Sequence, residues 1–230
     1  MKKLTILLIL ISTVSLFGQK LELTSDFNYG FLTNQSLKDF HQELTDDIPL
    51  NGVQITDHFN SNYGFSFGVK VNSINTTFFY SHKVSGAKSS YSDFSGFIRL
   101  TNEVKGSTIG GMYEKSISEI GKGDLLLGAK GLITFSNLEL INESRISNMV
   151  INEKFNFNSV DFGAGILLTY KVPISFFYLR AFVGFDAYFS GKLKFEDIPE
   201  AHLLDSNGNE VTSDWTGITT GIGFSIPIMK

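Results

Sequence analysis

The most regular pattern in the chain is an alternation of apolar with small or polar residues over residues 155–191. A period of two is typical of β-strands with one apolar face. Pro173 interrupts the pattern and excludes a helix at this point, because proline has no N–H to donate. We therefore predict a long β-hairpin whose apolar rows are Val160, Phe162, Ala164, Ile166, Leu168 and Tyr170 on the first arm, and Phe177, Leu179, Ala181, Val183, Phe185, Ala187 and Phe189 on the second.

The same alternation recurs along the chain and predicts eight strands in all, at about residues 21–31, 63–71, 76–84, 109–117, 125–136, 160–170, 177–190 and 217–228. Short turns at Asn72-Ser73, Gly121-Lys122-Gly123 and Pro173 alternate with four long polar connections, at residues 32–61, 86–105, 141–154 and 195–212. Such segregation of loop lengths is typical of a transmembrane antiparallel up-and-down β-barrel, with short periplasmic turns and long outer loops. Whether residues 86–105 add a further hairpin is left open by the pattern.

The N-terminus has the layout of a cleaved secretory signal peptide. Lys2 and Lys3 precede an apolar run over residues 4–14, which is shorter than the roughly 20 residues that a membrane-spanning helix needs. We predict a signal peptide over residues 1–19 and a single outer-membrane β-barrel domain over residues 20–230.

Composition narrows the chemistry. The chain has no cysteine, which excludes disulfides, thiol nucleophiles and a lipid-modified leader. Without Lys2 and Lys3, 19 − 2 = 17 basic residues face 23 acidic ones, a mature charge of −6 that argues against nucleic acid as a partner. The four histidines show no metal-ligand spacing. We expect no cofactor and no metal.

The leader ends in Phe17-Gly18-Gln19, and the chain closes with residues 221–228, GIGFSIPI. In these features it resembles the eight-stranded outer-membrane β-barrel domains of Gram-negative bacteria, most of all the PorT-like group. The resemblance implies a location in the outer membrane among its lipids, insertion by the barrel assembly machinery, and a part in an envelope complex such as secretion machinery. The chain departs from the usual closing signal because it ends in Met229-Lys230 instead of an aromatic residue.

Two sets of candidate site residues follow from the predicted faces. Charges on the polar rows would point into a narrow interior, where they should pair with one another; this predicted interior charge network is Asp26, Lys70, Glu114, Lys130, Asp161, Arg180 and Asp186. Aromatic residues near strand ends favour the headgroup region of a bilayer; this predicted aromatic belt is Tyr29, Tyr63, Tyr170, Phe176, Phe189 and Trp215.

The function that we predict is a non-enzymatic structural or binding role in the envelope, through the outer loops or a partner assembly. A narrow porin for small solutes is one alternative. Another is an outer-membrane enzyme, either an acyltransferase or an omptin-like protease that would use Asp46-Asp47 and Asp57-His58. A secreted lipocalin-like carrier also has eight strands, but its apolar face would point inward.

Overall fold

The computed structural model describes residues 20–48, 52–146, 149–198 and 200–228, so the predicted signal peptide lies outside the described residues. The elements in chain order are β1 (Leu21–Leu32), α1 (Gln35–Asp46), β2 (Gln54–His58), β3 (Ser61–Val71), a 3₁₀ turn (Asn72–Ile74), β4 (Thr76–Asp93), β5 (Gly96–Ile120), β6 (Gly123–Ile146), β7 (Met149–Ile174), β8 (Phe177–Phe189), β9 (Lys194–Phe195) and β10 (Gly217–Pro227). No helix within these ranges is long and apolar enough to cross a membrane.

The eight long strands form one antiparallel up-and-down sheet in which each pairs with the next long strand along the chain; they are β1, β3, β4, β5, β6, β7, β8 and β10. β1 lies between β10 and β3, so Phe27 is opposite both Ile222 and Phe65. β4 pairs with β5 as well as with β3, which leaves none of the eight with an unpaired side over its whole length. The predicted all-β, up-and-down architecture is confirmed.

The two faces of the sheet differ in burial along the alternation. On β3 and β8, for example, Phe67, Leu179 and Val183 are exposed, whereas Ser66 and Arg180 are buried. We call the buried side the inner face and the exposed side the outer face. The outer face is apolar and the inner face is polar, the reverse of a water-soluble sheet.

Four strands are much longer than the apolar pattern predicts, which answers the question left open for residues 86–105 and corrects the predicted loop at residues 141–154. Residues 86–105 are no loop, because β4 and β5 stay in register from Ser85↔Val104 to Asp93↔Gly96. Residues 141–146 and 149–154 likewise continue β6 and β7, with Ile141 opposite Lys154. The apolar row ends earlier than the strand, because the outer face becomes polar while the backbone ladder continues. We call this part of the sheet, residues 85–104, 138–146 and 149–157, the extension.

Pro173 is likewise part of β7, opposite Tyr178, and the turn lies two residues later at Ser175 and Phe176. A proline is tolerated here because the strand ends immediately afterwards. Ser175 adopts a left-handed backbone conformation with φ 56°.

The connection over residues 32–61, expected to be one polar loop, contains α1 and β2. α1 is amphipathic: Leu37, Phe40 and His41 lie on one side of the helix and are buried. The irregular segment 190–216 folds beside it, and the two cover the inner face of the extension. Together they form one apolar cluster, which we call the plug core: Leu32, Leu37, Phe40, Phe59, Ala87, Val104, Leu138, Phe157, Leu193, Leu203, Val211 and Trp215.

Candidate functional site

The inner face carries a connected set of charges below the plug core. Glu114 on β5 is central: its carboxylate lies 3.5 Å from Lys70 Nζ and 3.3 Å from Arg180 Nη2, and it accepts a hydrogen bond of 2.9 Å from Thr169. Arg180 also lies 3.6 Å from Asp26. These side chains are nearly all buried, so each charge depends on its neighbours for solvation.

A second inner pair is Lys130 with Asp186, at 2.9 Å. Asp186 also accepts a hydrogen bond of 3.1 Å from Thr219. The structure therefore brings six of the seven predicted interior charges into ion pairs.

Asp161 is the seventh and has a different environment. No cation lies within 4 Å of its carboxylate among the described residues, and it accepts hydrogen bonds from Ser136 at 2.5 Å, Ser213 at 2.9 Å and the Gly191 N–H at 2.8 Å. It thereby fastens the start and the end of segment 190–216 to the sheet. Its role is to hold segment 190–216 in place.

One buried pair was missed by the sequence reasoning. Lys171 Nζ lies 2.7 Å from Glu22, and Lys171 also stands over the ring of Tyr178 at 4.0 Å. Lys171 lies in β7, beside the position where a turn at Pro173 was predicted. The inward parity of residue 171, counted on from Thr169, is the signal that could have found it.

Another missed inner residue is Lys83 on β4. Its Nζ donates a hydrogen bond of 3.1 Å to the Tyr188 hydroxyl and lies 4.2 Å from the ring centre of Trp215. No carboxylate oxygen lies within 4 Å of Nζ in the part of the chain that the structure describes. Tyr188 in turn accepts a bond of 3.4 Å from Thr134.

Lys83 borders a cavity of about 80 Å³ in the middle of the interior. Lys130 and Arg180 also line this cavity, as do Asp26 and Asp186, which are their carboxylate partners. The remaining wall is mixed: neutral polar residues such as Asn62 and Ser81 line it together with apolar side chains such as Leu132, Leu167 and Phe182.

The outer part of the molecule contains a buried hydrogen-bond chain around His41 of α1. Ser89 Oγ lies 2.8 Å from His41 Nε2, and Asn102 Nδ2 lies 2.9 Å from Nδ1. This is the arrangement of a serine–histidine–asparagine triad, so the direction of each hydrogen bond matters.

The directions argue against an activated serine. Thr45 donates its only hydroxyl hydrogen to the His41 carbonyl, so Ser89 must donate to Thr45, 2.7 Å away. Ser89 Oγ then accepts from His41 Nε2, and Nδ1 accepts from Asn102. The histidine is therefore a donor to the serine, whereas a general base would accept its proton. Ser89 is also completely buried.

Burial lowers the pKa of His41 to about 4, and the nearby His58, whose ring centre lies 5.8 Å away, adds to the effect. His41 is therefore neutral at pH 7, as its accepting Nδ1 requires. This hydrogen-bond chain attaches α1 to β4 and β5.

The residues considered as a protease site, Asp46-Asp47 and Asp57-His58, lie in the same outer region as His41. Asp46 and Asp47 are at the end of α1, where Asp46 accepts a hydrogen bond of 2.8 Å from Gln42. Asp57 and His58 are in β2, where Asp57 accepts from the His58 N–H at 2.8 Å. Among the described residues no group of three His, Cys, Asp or Glu side chains could hold a metal ion.

Of the predicted aromatic belt, Tyr29, Tyr63, Phe176 and Phe189 are exposed on the outer face or at strand ends. Tyr170 is half-buried and donates a hydrogen bond of 2.8 Å to the Ile120 carbonyl. Trp215 is a correction: only 3% of it is exposed, and its Nε1 donates to Ser136 Oγ at 2.8 Å. It lies in an irregular segment where no alternation assigns a face, and it packs inward into the plug core.

No protein-family model and no curated protein matches the chain. The chain is similar to two solved structures. The first is the neisserial surface protein NspA, at 10% identity over 90% of this chain and 96% of that one, with a TM-score of 0.27. The second is the outer membrane protease OmpT of Escherichia coli, at 7% identity over 91% and 96% of the two chains, with a TM-score of 0.25. Likenesses at these TM-scores carry no argument about the function of this chain.

Proposed function

We propose that this protein is an integral outer-membrane protein whose eight long strands close into a transmembrane β-barrel after removal of a signal peptide. The observation that carries the proposal is the apolar belt on the outer face. On β1 the belt runs from Leu23 to Phe31, or nine residues, and Phe27 at its centre is 54% exposed. At about 3.3 Å per residue and with a tilt, nine residues span close to the ~25 Å of a bacterial outer-membrane barrel.

The belt continues on the neighbouring strands. Opposite Phe27, both Phe65 and Ile222 are exposed. An apolar surface of this size is not tolerated in water and is typical of contact with lipid. The polar inner face supports the same conclusion and argues against a soluble carrier that holds an apolar ligand inside.

The outer end of the belt is marked on the four longest strands. On the outer face of β5, Ile109 is followed towards the extension by Ser107 and Lys105; on β6, Phe135 is followed by Asn137 and Glu139. Farther out, Arg99 pairs with Glu143 at 3.3 Å and Lys154 with Glu139 at 2.7 Å. Surface ion pairs belong in water, so we place the extension outside the membrane and the short turns in the periplasm.

Within this location we propose a non-enzymatic role, in which the extension, α1 and segment 190–216 bind a partner or build an envelope assembly. The buried, oppositely directed Ser89–His41 bond supports a structural reading of the outer region. The resemblance of the closing strand to PorT-like barrels supports insertion by the barrel assembly machinery and a secretion complex as the partner assembly.

The first test is gel mobility of the membrane-fraction protein in mild detergent, boiled against unboiled. We expect a shift on boiling, because a closed sheet with every long strand paired resists detergent. Recovery in the soluble periplasmic fraction with no shift would overturn the proposal and favour a lipocalin-like carrier.

A narrow porin is the second candidate, favoured by the interior cavity that charged side chains such as Lys130 and Arg180 line. It requires a path through the plug core, whose side chains Phe59, Leu138 and Phe157 are almost completely buried. Conductance in planar bilayers distinguishes the two candidates, as argued below.

A further inference from the structure

Lys83 occupies a site that the sheet leaves open for it. Its neighbours across the ladder are Gly64 on β3 and Gly106 on β5. A Cβ added at Gly106 would lie 3.1 Å from Lys83 Cε and 2.9 Å from the ring of Trp215. Gly106 therefore gives the lysine side chain room to reach across the interior towards Tyr188.

The charges around the cavity do not balance locally at Lys83. Each of the other two cations in the wall has a carboxylate partner: Lys130 has Asp186, and Arg180 has Asp26 and Glu114. Lys83 has the faces of Trp215 and Tyr188 and the Tyr188 hydroxyl, which stabilise an ammonium group but carry no net charge. Asp161, the other inner charge without an ion pair, does not line the cavity and has its own hydrogen-bond donors.

The cavity beside this cation is large enough for a small ligand. A buried water molecule needs about 15 Å³ of cavity volume. The cavity beside Lys83, with a volume of about 80 Å³, therefore admits a monatomic ion together with water. Asn62 and Ser81 in the wall supply N–H and O–H groups that can donate to an anion. The carboxylates of Asp26 and Asp186 in the same wall would repel an anion that carries two negative charges more strongly than one that carries a single charge.

We propose that the cavity beside Lys83 is a binding site for a small monovalent anion, of the size of a halide. The anion completes the ion pair that Lys83 lacks, and the carboxylates in the wall exclude phosphate and sulfate. This site goes beyond the proposed outer-membrane role and does not require conduction.

Trp215 provides the measurement, because it is the only tryptophan in the chain and its ring lies 4.2 Å from Lys83 Nζ. The folded protein in detergent is titrated with sodium iodide at constant ionic strength, with sodium gluconate, too large for the cavity, as the balancing salt. Iodide bound at Lys83 quenches the fluorescence of Trp215 along a saturating curve. Chloride, which binds without quenching, should shift the midpoint of this curve to higher iodide, whereas sulfate should not.

Three variants assign the effect. Lys83→Met should raise the iodide midpoint at least tenfold, Lys83→Arg should keep a saturating curve, and Lys122→Met in an exposed turn should match the wild type. Each variant is first checked for folding by its gel mobility, which also separates failure of this proposal from failure of the barrel proposal. Quenching of the wild type that is absent or rises linearly with iodide, or a saturating curve unchanged in Lys83→Met, would overturn the anion site.

Discussion

Glu114 is the residue on which the inner charges converge. It is 2% exposed; its Oε2 contacts Lys70, and its Oε1 contacts Arg180 and accepts the hydrogen bond from Thr169. Removing one member of a buried ion pair leaves its partner uncompensated, which costs more than the pair itself contributes.

We therefore expect Glu114→Gln, which keeps the shape but removes the charge, to lower the free energy of unfolding by about 3–5 kcal/mol. The measurement is urea unfolding in lipid vesicles. Glu119→Gln, at an exposed position of the same strand, is the matched control and should stay within about 0.5 kcal/mol of the wild type. Equal stabilities for the two variants would show that Glu114 is not the centre of the network.

α1 is the element that the buried hydrogen-bond chain around His41 holds in place. Its apolar side contributes Leu37 and Phe40 to the plug core, and His41 attaches it to Ser89 and Asn102. His41 must be neutral for this attachment, because its Nδ1 accepts the hydrogen bond from Asn102.

The docking of α1 should therefore depend on pH. The pKa of His41 is lowered to about 4 when α1 is docked, against an ordinary 6.5, so the released helix takes up a proton more readily. Docking is at full strength above about pH 6.5 and weakens as pH falls towards 4, by at most tenfold per pH unit. Hydrogen exchange of the α1 amides, corrected for its intrinsic pH dependence, measures this as a loss of protection.

The His41→Gln variant is the control, because an amide can bond to Ser89 and Asn102 but does not titrate. Its α1 protection should not change between pH 6.5 and 4, and the amides of β5 and β6 within the belt should remain protected in both proteins. A pH dependence that persists in His41→Gln would assign the effect to another group, such as the adjacent His58.

The molecule as a whole has two parts along the strand direction. The first carries the apolar belt on its outer face and the paired charges on its inner face, and the second is the extension, whose inner face the plug core covers. The belt makes a specific demand on substitutions. We expect Phe65→Lys, at mid-belt opposite Phe27, to lower the free energy of unfolding in vesicles by about 2–4 kcal/mol.

The control is Thr101→Lys, on the outer face of the extension, where a lysine side chain is solvated. It should leave stability within about 0.5 kcal/mol of the wild type. Comparable losses at both positions would mean that the belt does not face lipid.

The same arrangement predicts that the protein does not conduct. Eight strands enclose an interior that side chains fill, and the plug core closes its outer end. We expect no single-channel steps in planar bilayers for the folded wild type. Steps that change on Arg180→Met would instead support the narrow porin.

Local alternation was enough to predict eight strands, their order and which face of each is apolar, because side chains on a strand alternate whatever the strand pairs with. It also placed Glu114, Arg180 and Asp186 on the inner face. The belt and the short turns follow from the same pattern, read residue by residue.

Contacts between distant parts of the chain determined the rest. Where β4 to β7 end depends on ladder partners, because above the belt the outer face is polar and the alternation no longer signals a strand. The docking of α1, the inward turn of Trp215 and the lack of a carboxylate at Lys83 depend on which side chains lie across the interior. Side chains that touch across the interior can be far apart in sequence: Lys83 and Trp215 are separated by 215 − 83 = 132 positions. No local pattern in the sequence carries information about such a contact.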